Sequence, residues 1–232
     1  MSLIQIKSYP VTHIVIRDFL DSASKKKLLN SLLPIRDNHL EIMPSPPRKD
    51  KSKEKEWDQL EMNRVGCMLH DVLKENPTLN RDCLDILESN VGRDDIKKAC
   101  QDTGDLLFKT HAHYSNEGAM LFGQYETGGK MTWHTDTGPV CTMIYVFNFE
   151  GEECIQGDFS LSGFSEDNNR PEENFVTYPF EDNFLILFPA KALHKVSQII
   201  GRRNVLQYYA GYEGWKVYIM QDTKAGKYYN ET

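Results

Sequence analysis

The pattern of residue types from Leu106 to the C-terminus limits the fold to a few classes. Short runs rich in Val, Ile, Phe, Tyr and Thr alternate there with clusters of Gly, Asn, Asp and Pro. This alternation is typical of a β-sandwich or β-barrel and not of a parallel α/β sheet. The run from Phe184 to Phe188 is apolar at every position, which predicts a central strand covered on both faces. The predicted strands lie near 107–114, 118–126, 130–135, 139–149, 155–162, 174–178, 183–188, 193–198, 203–212 and 215–221.

The preceding part of the chain is predicted to form one strand and several helices. The β-branched residues of 11–19 predict the strand, and Asp21 or Ser22 can cap a following helix that Pro34 ends. Apolar periodicity predicts further helices over 58–75, 79–89 and 94–103, which would pack against one face of the sheet. We interpret residues 1–232 as a single domain, with the strand and supporting helices in 1–105 and the β-rich core in 106–221.

Residues 43–57 combine a Pro-Ser-Pro-Pro motif with the highly charged run Arg-Lys-Asp-Lys-Ser-Lys-Glu-Lys-Glu. Such a stretch cannot bury apolar surface, so it is predicted to be a mobile loop. The functional alternative is a basic recognition patch. Because acidic residues interrupt the basic run and no aromatic residue lies inside it, the loop is favoured.

Charge and composition exclude several classes of protein. The net charge of -7 argues against nucleic-acid binding, which needs clustered Lys and Arg. No apolar run has the length of a membrane span, and residues 1–10 lack the apolar core of a signal peptide. The five scattered cysteines contain no C-x-x-C pair and favour a reduced compartment. We predict a cytoplasmic protein with no nucleic-acid or membrane partner.

Three residues form a candidate metal site. His134 and Asp136 have the i, i+2 spacing that places both side chains on one face of a strand. His194 can supply a third ligand from another strand. Two imidazoles and one carboxylate, with open positions on one side of the ion, are the ligands of non-haem Fe(II) oxygenases.

A lone H-x-D motif occurs by chance in many proteins, but here it lies within an ordered series of motifs. The series consists of Tyr125 and Gly128, His134 and Asp136, the strand Thr142 to Asn148, Gly157-Asp158-Phe159, Phe188-Pro189, His194 and Val196, and Arg203. In this order the motifs resemble the catalytic core of the Fe(II)- and 2-oxoglutarate-dependent dioxygenases, in the prolyl 4-hydroxylase-like branch. The resemblance covers roughly residues 118–212, and it implies an α+β, mainly β fold with a double-stranded β-helix core of the jelly-roll or cupin-like type.

The resemblance also implies roles for individual residues. His134, Asp136 and His194 would bind Fe(II), and Arg203 would hold the distal carboxylate of 2-oxoglutarate; these four are the predicted catalytic residues. A guanidinium offers a planar fork that matches a carboxylate. Arg202 is the neighbouring candidate, but on a strand it should face the other way.

Two further residues are candidates for cosubstrate binding. Tyr125 resembles the family tyrosine that lines the cosubstrate pocket, although a packed strand aromatic explains it equally well. In some relatives a tyrosine that helps to hold the cosubstrate stands where this chain has Val146. Gln207 shares a strand face with Arg203 and is predicted to replace the missing hydroxyl.

The expected activity is oxygenation of an unactivated C–H bond with 2-oxoglutarate and O2, releasing succinate and CO2. The substrate would be a prolyl or other amino-acid residue in a protein or peptide, or a small molecule. One alternative is a cupin-like protein that binds Zn or Ni for non-oxidative chemistry, which would not need Arg203. The other is a non-catalytic interaction module on the same fold.

Overall fold

The computed structural model describes residues 2–42, 64–105, 108, 120–136, 141–164 and 173–210. The loop predicted at 43–57 and the strand predicted at 215–221 lie outside these residues, as does all of the strand predicted at 107–114 except Phe108. No helix in the described ranges is both long and apolar enough to span a lipid bilayer.

Within the described ranges the chain forms two antiparallel sheets that face each other. The nine-stranded major sheet has the order β1-β2-β11-β7-β13-β5-β4-β3, and β8 pairs with β13. Its strands are β1 (Leu3–Lys7), β2 (His13–Arg17), β3 (Glu41–Ile42), β4 (Arg64–Met68), β5 (Leu121–Glu126), β7 (Cys141–Phe147), β8 (Cys154–Gln156), β11 (Phe184–Pro189) and β13 (Ile200–Ala210).

The four-stranded minor sheet has the order β10-β9-β12-β6. Its strands are β6 (Met131–His134), β9 (Phe159–Phe164), β10 (Phe175–Tyr178) and β12 (Ala192–Val196). Two antiparallel sheets that face each other form the predicted jelly-roll architecture. The mainly β fold class is therefore confirmed.

In the described ranges, four helices cover the outer face of the major sheet: α1 (Ser22–His39), α2 (Leu69–Glu75), α3 (Asp82–Val91) and α4 (Asp94–Asp102). One apolar core lies between these helices and the major sheet, and a second lies between the two sheets. Strand β11 contributes to both, because Leu185 and Leu187 belong to the first core while Phe184, Ile186 and Phe188 belong to the second. The prediction of a central strand covered on both faces is confirmed.

The prediction that Pro34 ends the first helix is wrong, because α1 continues through Pro34 to His39. A proline inside a helix removes one hydrogen bond and costs about 3 kcal/mol. The extra turn offsets this cost by burying Ile35 completely. It also places the Arg36 guanidinium 4.5 Å from the centre of the Phe149 ring.

Of the helix predicted over 58–75, residues 69–75 are confirmed as α2 and 64–68 are not helical, whereas 58–63 lie outside the described residues. Residues 64–68 form β4, which lies between β5 and the short edge strand β3 of the major sheet. Gly66 lies opposite Gly123 in this pairing, so the two backbones meet without side chains between them. Strand β1 was also missed by the sequence prediction, and it pairs with β2 at the opposite edge.

Candidate metal centre

The two candidate histidine ligands are neighbours in the minor sheet. His134 on β6 and His194 on β12 are paired directly across the antiparallel ladder. Their ring centroids are 4.1 Å apart, and His194 is only 2% exposed. Strand pairing therefore brings together two imidazoles that are far apart in the sequence.

Asp136 completes the cluster from the segment that follows β6. Its backbone N–H donates to the carbonyl of Ala190 at 2.9 Å, which ties this segment to the end of β11. Its Oδ2 atom lies 3.7 Å from Nε2 of His194. The ligand atoms of His134, Asp136 and His194 all lie within 4.8 Å of one another, a separation that small side-chain rotations can close onto one ion.

Backbone hydrogen bonds fix the orientation of both imidazoles. Nδ1 of His134 lies 2.8 Å from the carbonyl oxygen of Thr132, and Nδ1 of His194 lies 3.0 Å from that of Ala192. Because a carbonyl only accepts, Nδ1 carries a proton in each ring, so the neutral form of either ring has its lone pair on Nε2. This is the tautomer that a metal-binding histidine needs.

The surroundings keep His134 neutral. Burial and the neighbouring His194 lower the pKa of His134 to about 3, against the opposing effect of Asp136. Arg64 also contributes to lowering this pKa. A neutral imidazole is ready to bind a cation without first losing a proton.

Two side chains of the major sheet contact the carboxylate of Asp136. Oγ1 of Thr142 donates to Oδ2 of Asp136 at 2.6 Å, and Nε2 of Gln207 lies 3.4 Å from both carboxylate oxygens. Thr142 was not predicted as a site residue, although it is the first threonine of the strand that follows the H-x-D motif. Gln207 was predicted to bind cosubstrate, and the structure places its amide against the candidate metal ligand.

Arg203 lies on the inner face of the major sheet and is 3% exposed. Burial lowers the pKa of its guanidinium, while Tyr125, Cys154 and Asp158 oppose the shift. Within the described part of the chain its buried Nε atom has no hydrogen-bond partner. A buried cation with an unused donor fits a carboxylate ligand. Arg202 points the other way and pairs with Glu126 and Glu152, each at 2.8 Å, as strand alternation predicts.

A small cavity adjoins Arg203 between the two sheets. Phe159 forms part of its wall and also lies with its ring centroid 5.8 Å from that of His194. Val146, where some relatives carry a tyrosine, is another wall residue, so this part of the lining is apolar. The main lining residues are Val146, Phe159, Tyr178, Phe184, Ile186 and Arg203.

Tyr125 lies between two arginines on the inner face. It is paired across the sheet with Arg203 on one side and Arg64 on the other. Its hydroxyl lies 3.0 Å from Sδ of Met131, and the Arg64 guanidinium is 5.3 Å from its ring centroid. Arg64 was missed because the sequence pattern predicted a helix over this segment.

Trp133, next to His134, does not face the metal cluster. It contacts Phe175 and Lys195 on the other face of the minor sheet.

Comparisons with known proteins show a likeness in fold to several solved structures. No protein-family model matches the sequence, and no curated protein matches it. A prolyl hydroxylase from Trichoplax adhaerens, solved with a hypoxia inducible factor peptide fragment, is similar with a TM-score of 0.55 and 14% identity over 87% of this chain and 84% of that chain. A Pseudomonas putida prolyl-4-hydroxylase gives a TM-score of 0.53 and 14% identity over 86% of this chain and 92% of its own.

A third similar structure comes from work on prolyl 4-hydroxylases of Phytophthora capsici. It has a TM-score of 0.54 and 16% identity, and the match covers 90% of this chain and 63% of that chain. At sequence identities this low, the structural match shows a shared fold and does not show a shared activity. The chain therefore has the fold of the prolyl 4-hydroxylases, as its ordered motifs implied.

Proposed function

We propose that this protein is an Fe(II)- and 2-oxoglutarate-dependent oxygenase that hydroxylates an unactivated C–H bond. The observation that carries the proposal is one combination of groups between the two sheets. A cluster of two imidazoles and a carboxylate lies at the minor sheet, and a buried arginine whose Nε has no hydrogen-bond partner among the described residues lies on the major sheet. A metal protein with hydrolytic or storage function has no need of that second group.

The three clustered residues suit Fe(II) by charge and by number. His134 and His194 would bind through Nε2, and Asp136 would add one negative charge, so the metal charge is only partly cancelled. Three ligands leave open positions for a chelating cosubstrate and for O2. When bound, Fe(II) with 2-oxoglutarate and O2 would supply the oxidising chemistry, with succinate and CO2 as the coproducts.

Arg203 would hold the distal carboxylate of 2-oxoglutarate. Its guanidinium is buried, so an ion pair there is stronger than it would be in water. Its Nε–H, which meets no acceptor in the described ranges, would then donate to a carboxylate oxygen. Tyr125, directly opposite Arg203 on β5, would line the same side of the cosubstrate.

The chain itself would orient the reactants and exclude water. Thr142 and Gln207 would hold the Asp136 carboxylate, and the backbone carbonyls of Thr132 and Ala192 would hold the imidazoles. Apolar side chains of the inner core, such as Phe159 and Ile186, would keep bulk water from the cosubstrate.

The primary substrate is proposed to be a prolyl or other residue of a peptide or protein, or a small molecule. The similar structure from Trichoplax adhaerens was solved with a peptide fragment, which supports a peptide as the first class to test. A cytoplasmic location is proposed because none of the five cysteines is paired in the described structure, an arrangement that suits a reducing compartment.

The test is turnover of 2-oxoglutarate to succinate without added substrate, a slow side reaction that such a site should support. We expect it to need Fe(II) and to be lost in His134→Ala. His39→Ala, at the C-terminal end of α1, is the matched control and should keep the wild-type rate. Zn(II) or Ni(II) binding with no turnover under Fe(II) would favour the cupin-like alternative.

A further inference from the structure

The small cavity beside Arg203 lies at the end of the candidate site that is farther from the metal cluster. Thr142 on β7 donates to Asp136 and marks the level of the cluster. Val146, four residues further along β7, lines the cavity together with Arg203. A strand rises about 3.4 Å per residue, so the cavity lies about 13 Å along the strand from the cluster. Free space at this level therefore concerns the distal end of a ligand that is bound at the metal.

The cavity is lined mostly by apolar side chains and has room for about one water molecule. A methylene group is of similar size. Val146, Phe184 and Ile186 in the wall are each at most 3% exposed. Burial of a methylene group among such side chains is favourable, because apolar surface is removed from water. A water molecule in the same place needs several polar partners.

Two of the polar side chains in the wall already have partners. The Tyr178 hydroxyl is hydrogen-bonded to Nε2 of His13, and the Glu181 carboxylate accepts from Nε of Arg17 at 2.8 Å. Arg203 differs from both, because its buried Nε meets no hydrogen-bond acceptor in the described ranges. The Arg203 guanidinium is therefore the group in this wall that can bind a carboxylate.

Three features leave the depth of the Arg203 guanidinium adjustable. Gly157 lies against its stem, where an added Cβ would be 3.3 Å from Cδ of Arg203, so the glycine leaves the stem room to move. Since no acceptor holds Nε in the described part of the chain, a shift towards the cavity breaks no hydrogen bond at that atom. Val146 has no hydroxyl that would hold a carboxylate at one fixed distance from the metal.

We propose that the cosubstrate site also accepts 2-oxoadipate, a 2-oxo diacid one methylene group longer than 2-oxoglutarate, and that Val146 sets this limit on chain length. A shift of the Arg203 guanidinium into the cavity would make room for the additional methylene group and keep the contact with the distal carboxylate. This inference rests on the proposed function and assigns a second cosubstrate to the same site.

The test is calorimetric titration of the Co(II)-loaded protein with oxaloacetate, 2-oxoglutarate, 2-oxoadipate and 2-oxopimelate, which differ in chain length by one methylene group each. The wild type is compared with Val146→Ile, which adds one methylene group to the cavity wall. Val205→Ile is the matched control, because Val205 is paired directly with Val146 and equally buried but is not part of the wall. Thermal unfolding of both variants checks that they fold.

We expect the Kd of 2-oxoadipate in the wild type to lie within about 10-fold of that of 2-oxoglutarate, with the shorter and the longest acid binding more weakly. The ratio of the two Kd values should rise by roughly 5-fold or more in Val146→Ile, because the filled cavity is overpacked by the longer acid. It should stay at the wild-type value in Val205→Ile.

Val146→Ala provides a second variant, in case the larger side chain prevents folding. It enlarges the cavity, so the Kd of 2-oxopimelate should move towards that of 2-oxoglutarate. Relative affinities for the four acids that are the same in the wild type and in the folded Val146 variants would overturn the role of Val146 and with it the inference.

A further comparison separates this inference from the proposed function. Arg203→Gln should weaken 2-oxoglutarate and 2-oxoadipate by similar factors, because both acids would use the same guanidinium. A wild type that binds 2-oxoglutarate but binds 2-oxoadipate more than about 10-fold more weakly would overturn the inference, with the proposed function intact. Failure of the wild type to bind either acid would overturn both.

Discussion

Oγ1 of Thr142 donates a hydrogen bond of 2.6 Å to Oδ2 of Asp136. Thr142 is fully buried on β7 of the major sheet, whereas Asp136 follows β6 of the minor sheet. The bond thus joins the two sheets at the candidate metal ligand and restricts the rotation of the carboxylate. Groups that hold a metal ligand in this way tune the affinity of the site without touching the ion.

Thr142→Val should lower the affinity for Fe(II) or Co(II) by roughly 10- to 100-fold. Valine has the same shape as threonine but cannot donate to the carboxylate. Thr142→Ser keeps the hydroxyl and should stay near the wild-type affinity. Anaerobic metal titration measures the effect, with thermal unfolding of both variants as the check on folding. Equal affinity in Thr142→Val and the wild type would contradict the positioning role.

Arg203→Gln should weaken 2-oxoglutarate binding by roughly 10- to 100-fold, because a hydrogen-bonded ion pair in a buried site is lost. Arg202→Gln is the matched control: the adjacent arginine points to the other face, where it pairs with Glu126 and Glu152. It should leave the dissociation constant for 2-oxoglutarate unchanged. Calorimetric titration of the Co(II)-loaded variants decides between the two arginines.

The same Arg203→Gln variant should not lose stability when 2-oxoglutarate is absent. A buried guanidinium whose Nε–H finds no acceptor in the part of the chain that the structure describes costs free energy in the folded protein, so removing its charge is neutral or stabilising. The melting temperature without ligand should equal or exceed that of the wild type. A clear fall in melting temperature would mean that Arg203 already has a structural partner.

The sequence predicted that His134, Asp136 and His194 lie close together and that Arg203 faces away from Arg202, from strand alternation and from the resemblance of the ordered motifs. Arg64 escaped prediction because β4 is a strand only through its pairing with the distant β5. Gln207 was correctly predicted to share a strand face with Arg203. Its position next to Asp136 depends on the register of β13 with β7, which no local sequence pattern encodes. Pro34 was misjudged because burial of Ile35 outweighs the local helix-breaking tendency.

Gly201→Ala should destabilise the fold by more than about 2 kcal/mol. Gly201 has φ +100, and an added Cβ would lie 2.2 Å from the backbone oxygen of Glu153. Gly151→Ala is the matched control: Gly151 has φ +80 but no atom within 4 Å of the added Cβ, so the expected cost is about 1 kcal/mol. Chemical denaturation measures both, and equal costs would show that the contact with Glu153 does not matter.

His13 should make stability depend on pH. It is fully buried, its Nδ1 donates to the carbonyl of Val11, and Nε2 is hydrogen-bonded to the Tyr178 hydroxyl. Burial lowers the pKa of His13 below its ordinary value of 6.5. Below that pH the unfolded chain binds a proton that the folded chain does not, so stability falls as the pH decreases.

One histidine that is kept neutral in the folded protein changes the free energy of unfolding by up to about 1.4 kcal/mol per pH unit. The free energy of unfolding of the wild type should therefore fall between about pH 6.5 and pH 5, and His13→Gln should show a smaller slope. Denaturation at several pH values gives both slopes. Identical slopes would mean that His13 is not held neutral in the folded protein.

The most direct measurement of the central claim is an anaerobic titration of the metal-free protein with Fe(II) and then with 2-oxoglutarate, followed in the visible range. The account predicts a weak charge-transfer band that needs both components, disappears in His194→Ala, and needs a higher 2-oxoglutarate concentration in Arg203→Gln. Fe(II) binding with no band at any 2-oxoglutarate concentration would contradict the account.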